Sequence, residues 1–142
     1  MTHPLVIAAR SHLGTPWRHR GRIPGRRLDC VGHVVCACVK AGRPVKDREI
    51  YGREPEKDDL RGALVAEFGP ALPKAQARAG DVGLFIGSAY PLHVGVIGDY
   101  YLGGLSLIHA SNEPGVCKVV EHALAGQWLR RLIEVYRVKE FG

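Results

Sequence analysis

Apolar residues recur every three to four positions in the first half of the chain and alternate or run together in the second. The clearest helical stripe is Val31, Val34, Val35, Cys38 and Val39, which predicts a buried helix face. Asp29 stands where an N-cap belongs, and Gly42 and Pro44 are stop signals, so this helix runs from Cys30 to near Ala41. A shorter helix is expected from about Pro4 to Leu13, closed by Gly14. Leu60, Leu64 and Phe68 share one face of a third, from Asp58 to Phe68, ended by Gly69-Pro70. Lys46 to Lys57 is polar, carries Pro55, and reads as a surface connection. Beyond these, short apolar runs bounded by Gly, Pro or Asp predict strands near 82–87, 93–99, 105–110, 116–121 and 131–138. Asp99 to Gly104 reads as the turn of an antiparallel hairpin. Helices followed by an antiparallel meander make the chain α+β. No repeat, low-complexity tract or internal boundary breaks residues 1–142, which read as one domain.

Chemistry concentrates at the start of the second helix. Cys30 falls in its first turn, where unpaired backbone N–H groups and the helix dipole favour a thiolate. Thiols in such positions titrate at about 3.5 to 7.5, and the thiolate is the form that attacks carbonyls. The competing reading is an ordinary buried cysteine. Two histidines shift the balance. His93 lies in Leu92-His93-Val94-Gly95-Val96 and His109 in Ile108-His109-Ala110-Ser111, on the two strands of the expected hairpin. Adjacent strands can bring the two imidazoles into hydrogen-bonding reach. A cysteine facing a histidine that is oriented by a third polar group is the pattern of a thiol nucleophile with its base. Gly95 and Gly98 in the first of these strands suggest close backbone approach or a bulge. His19 and His33 read as surface and helix-face residues, and His3, His12 and His122 have no evident partner.

In this order the motifs resemble the NlpC-type cysteine peptidases, a papain-like family that cleaves cell-wall peptides. The matching pieces are Ala9-Arg10, then Leu13-Gly14-Thr15-Pro16-Trp17-Arg18, Asp29-Cys30-Val31-Gly32, Ala79-Gly80-Asp81-Val82, His93-Val94-Gly95-Val96 and Ile108-His109-Ala110-Ser111. More narrowly, the chain resembles the compact version encoded in phage tail clusters and gene transfer agents. The resemblance implies a papain-like NlpC fold, with Cys30 as nucleophile, His93 as general base and His109 as the residue that orients His93. It also implies that the backbone N–H of Cys30 helps hold the oxyanion. Asp29 would contact the substrate amine or hold the loop before the helix, and Trp17 and Arg18 would border the substrate. The implied substrate is the peptidoglycan stem peptide, cut between D-glutamate and the diamino acid, with no metal or organic cofactor. Two positions depart from the family pattern: Val31 replaces a usual Ser, and Trp17 a usual Tyr. Trp17 cannot offer a phenolic hydroxyl, and losing one oxyanion donor costs about a hundredfold to a thousandfold in rate. A tail-tip structural or assembly component of the same fold with weak or no catalysis is therefore the alternative. Amidase or acyl-transfer chemistry on a non-wall substrate is another.

Composition adds bounds. At 142 residues with 46% hydrophobic content the chain can bury one core. No apolar run is long enough to span a bilayer. The start, Met1-Thr2-His3-Pro4-Leu5, shows no signal-peptide pattern. The expectation is synthesis in the bacterial cytoplasm, carriage in a phage or phage-like tail with tail-tip or baseplate partners, and action on the wall in the periplasm. Cys30, Cys36, Cys38 and Cys117 do not form a disulfide framework or a paired zinc spacing. The last three read as small buried hydrophobes. The net charge is +6, and five arginines fall between Arg18 and Arg27. This loop could attract phosphates. It lacks aromatic interleaving or a reading helix, so a solvated loop is preferred to nucleic-acid binding. Steering of anionic wall peptides toward Cys30 fits the same charge.

Overall fold

The computed structural model describes residues 2–47, 57–87 and 92–139. Helix α1 spans Pro4–Arg10, with the His3 ring accepting the Leu5 N–H as its cap. It ends three residues before the expected Leu13. The Ser11 hydroxyl bonds the Ala8 carbonyl, and the Gly14 N–H is given to Val119 of the sheet. The basic loop folds into a small hairpin, β1 (Arg22–Ile23) with β2 (Arg27–Leu28). Helix α2 follows at Cys30–Lys40, as the apolar stripe predicts, and α3 at Lys57–Phe68. Most of the surface connection expected between them lies outside the described residues.

The sheet strands are β3 (Leu72–Pro73), β4 (Val82–Ile86), β5 (Leu92–Asp99), β6 (Leu105–Ser111), β7 (Lys118–Ala123) and β8 (Leu132–Tyr136). Their order is β3-β8-β4-β5-β6-β7, with every pair antiparallel. The meander therefore covers β4 to β7 only. The last strand crosses back and pairs with β4, Val82 opposite Tyr136, which closes an edge that a simple meander would leave open. A six-residue helix, α4 (Gly126–Arg131), carries the chain into β8. It opens on glycine and is too short to show a period. Strand β7 starts two residues later than expected. Val116 and Cys117 are drawn into a turn on the Glu113 carbonyl, with Cys117 at φ 45°.

Alternation along β5 and β6 sorts side chains into two packed groups. Val94, Val96, Ile108 and Ala110 join Leu5, Val6, Val34 and Cys38 of α1 and α2 in the larger core. Ile97 and Leu107 join Phe85, Trp128, Leu132 and Val135 in a smaller one. His93 and His109 belong to this second set, against Phe85 and Trp128. Gly95 marks a close approach, as expected: a side chain there would meet Leu107 Cδ1 at 2.6 Å. The bulge lies elsewhere, at Leu84/Phe85 between β4 and β8. Among the described residues no helix is long and apolar enough to cross a membrane.

Candidate active site

The loop before α2 is laced onto the helix by one buried carboxylate. Asp29 Oδ1 accepts the Gly32 N–H at 2.7 Å and Arg22 Nη1 at 3.0 Å, and Oδ2 accepts the Arg20 N–H at 2.8 Å. Arg22 continues to Asp47 at 2.9 and 3.1 Å. Gly32 permits this packing, because a Cβ there would collide with the Gly21 carbonyl and lie 2.9 Å from Arg22 Nη1. Of the two roles open to Asp29, the geometry displays the loop-holding one. Arg22 is likewise part of the framework, a correction to reading the whole basic loop as solvated. Arg18, Arg20, Arg26 and Arg27 remain exposed.

Cys30 sits in the first turn of α2, but its thiol is not the acidic one that the helix dipole alone predicts. Burial pushes it up to about 12, and the Asp29 carboxylate adds to the rise. The backbone N–H groups of Val94, Val31 and Cys30 pull the other way without offsetting it. Desolvation of the anion opposes the helix terminus, so the surroundings disfavour the resting thiolate that the terminus alone would favour.

The two strand histidines meet as the hairpin predicts, His93 Nε2 lying 2.7 Å from His109 Nδ1. The chain of rings then continues. His109 Nε2 lies 2.9 Å from His122 Nε2, and His122 Nδ1 lies 3.0 Å from the Ala123 carbonyl. Trp128 covers all three rings, with centroid separations of 5.6 Å to His93, 4.7 Å to His109 and 5.8 Å to His122. The Arg131 guanidinium lies over the indole at 4.9 Å. Burial, with His33, Arg131 and His122 as nearby positive or potentially positive groups, lowers His93 to about 3. Burial and the neighbouring imidazoles hold His109 well below the usual histidine range. Both rings are neutral at physiological pH, which matches a neutral thiol.

Cys30 and His93 line one cleft of about 520 Å³, along with Trp17, His19, Asp29 and Asn112. Val31, Val34, Leu64 and Phe68 also line it, with Lys46, Asp47 and Glu67 among its charged residues. Arg18 is not on it. Arg18 lines a second, basic cleft with Arg20, Arg26 and Arg27, and His19 borders both.

Two solved structures share this arrangement of elements. One is an NLP/P60-family protein from Staphylococcus aureus described as similar to lipoprotein, superposing with a TM-score of 0.62 at 24% identity. That match covers 94% of this chain and 40% of the other. The second is the NlpC/p60 domain of the peptidoglycan hydrolase SagA, with a TM-score of 0.60 at 27% identity, covering 95% of this chain and 97% of that domain. The fold is that of NlpC/P60 domains. No family model matches the sequence, and the search of curated proteins likewise gives no match.

Within this NlpC/P60 fold the remaining polar candidates take structural places. His33 is buried on α2 with Nε2 3.1 Å from the Ala9 carbonyl, and the His12 ring meets it edge-on. Cys38 is buried, as expected, but Cys36 is only half-buried and Cys117 is exposed at its turn. Among the described residues no cluster of three His, Cys, Asp or Glu side chains is disposed to hold a metal ion. The sequence reading missed two residues at the site. His122 lies one position past the expected end of its strand, so the alternation that aims it was not followed far enough. Trp128 sits on α4, whose six residues carry no periodic signal.

Proposed function

We propose that the chain is a cysteine peptidase acting on peptidoglycan stem peptides, with Cys30 as nucleophile and His93 as base. The observation that carries the reading is one cleft holding a helix-terminal thiol and a buried imidazole whose Nε2 is fixed by a second imidazole. The NlpC/P60 fold, and its occurrence in a peptidoglycan hydrolase, support the substrate class. Attack begins as the Cys30 S–H proton passes to His93 and the sulfur adds to the carbonyl carbon. The oxyanion is held by the Cys30 backbone N–H at the helix N-terminus. His93 returns the proton to the leaving amine as the C–N bond breaks, leaving an acyl-enzyme. Water, deprotonated by His93, then releases the carboxylate and restores the thiol.

The bond proposed is the one between D-glutamate and the diamino acid. The exposed arginines beside the cleft would draw the carboxylates of such peptides by long-range attraction. Carriage in a phage or phage-like tail, with tail-tip or baseplate partners and action in the periplasm, is proposed on the subgroup resemblance of the motifs alone. Mass spectrometry of muropeptides incubated with wild type and Cys30→Ala tests the activity. Cleavage by wild type alone is expected, with fragment masses that identify the bond. Folded wild type that cleaves nothing would instead favour the non-catalytic tail component, to which Val31 and Trp17 already point. Binding to purified tail-tip proteins then tests that role directly.

A further inference from the structure

The hydrogen bonds among the three histidines have a direction, and it is set at the His122 end. The Ala123 carbonyl can only accept, so His122 Nδ1 must carry a hydrogen. When the His122 ring carries that one hydrogen alone, its Nε2 is an acceptor, which requires His109 to donate from its own Nε2. His109 Nδ1 is left bare, and His93 must donate to it from Nε2. What remains is a lone pair on His93 Nδ1. We propose that His122 is a positioning residue that fixes, through His109, the tautomer in which His93 Nδ1 is free to take a proton.

This rests on the reading of His93 as base, and it gives that reading an atom. Reversing the relay would place a hydrogen on His93 Nδ1 and turn the base into a donor. Within the relay itself, nothing but the Ala123 carbonyl breaks the symmetry, because each ring nitrogen pair works equally well in either direction. The Trp128 indole packs against all three rings and helps hold them in this arrangement. Burial of His93 and His109 adds to this, since an unsatisfied N–H is costly there.

The test is ring-nitrogen NMR of 15N-histidine protein, which reads tautomers whether or not any peptide is cleaved. In wild type, His122 is expected as the Nδ1–H form, with His109 and His93 as Nε2–H forms. His122→Phe removes the acceptor for His109. Leaving that buried N–H unpaired favours the reversed relay by roughly tenfold, and His93 should move largely to the Nδ1–H form. The fall in kcat should be similar, with KM little changed. His122→Gln restores an acceptor oxygen and should recover most of both losses. A wild-type His93 carrying its hydrogen on Nδ1 would overturn the proposal, as would unchanged His93 signals in folded His122→Phe. Should His122→Phe fail to fold, the wild-type tautomers still test the proposal, and in folded His122→Gln the His93 Nε2–H form should persist, a shift to Nδ1–H overturning it. If folded wild type cleaves no muropeptide, the peptidase reading fails and the tautomer pattern stands or falls separately.

Discussion

Asp29 commits both carboxylate oxygens to the segment around Cys30, and this one side chain sets two properties in opposite senses. It caps α2 and anchors Arg22, so Asp29→Asn should lower stability by about 1–3 kcal/mol, read from the urea midpoint. Asn is itself a good cap, so the loss comes mainly from the charge-assisted bonds to Arg22 and the Arg20 N–H. The same carboxylate raises the Cys30 thiol, so the variant should have the more acidic sulfur. Thiolate absorbance in the ultraviolet, taken as the difference from Cys30→Ala, checks this. Wild type should show no Cys30 thiolate at neutral pH, and the Asn variant should show its thiolate at lower pH than wild type. A strong neutral-pH thiolate signal from wild type would mean that the helix terminus does outweigh burial. At this scale the identity of the candidate residues was legible in the sequence, because Cys30, His93 and His109 each sit in a local pattern. Their ionisation was not, because it depends on what surrounds the sulfur and the rings.

At the scale of elements, period and punctuation identified α2, α3 and strands β4 to β8 within a few residues. They act over one or two turns, which is the range that a sequence window sees. The elements missed are short: β1, β2, β3 and α4. β3 and α4 are held against distant strands, and β1 and β2 by the two-residue hairpin they form with each other. In α4 the decisive residue is Trp128, 8% exposed and packed on Phe85 as well as the histidines. Trp128→Ala should cost about 3–5 kcal/mol, the usual penalty for removing a buried tryptophan. It should also lower kcat beyond any effect on KM, since the indole no longer helps hold the three rings in place. Denaturant unfolding and steady-state kinetics on the same preparation separate the two effects.

Across the whole molecule, burying imidazoles makes stability depend on pH. His33, with no exposed surface, is lowered to about 4 by burial, while an unfolded histidine titrates near 6.5. Between those values the unfolded chain binds the additional proton. Stability is therefore full above pH 6.5 and falls as pH drops toward 4, by about 3 kcal/mol from His33 alone. His93 and His109 act in the same direction. Thermal midpoints measured across this range should fall on acidification, and less steeply in His33→Gln, which keeps a donor for the Ala9 carbonyl. A flat profile in wild type would contradict neutral burial of these rings.

The sequence by itself determined the α+β class, the helix that presents Cys30 in its first turn, and the hairpin that pairs His93 with His109. Each follows from residues close along the chain: a cap, an apolar period, a turn between two short strands. The tertiary structure alone decided that β8 returns to β4, that Arg22 locks onto Asp29 across a hairpin, and that the thiol is held neutral. It also decided that His122 and Trp128 complete the histidine relay. Those outcomes come from strand register, close packing and loss of solvent. Most arise when distant segments are brought together, and the Arg22–Asp29 bond, between residues seven apart, depends on a two-residue hairpin that no apolar period announces.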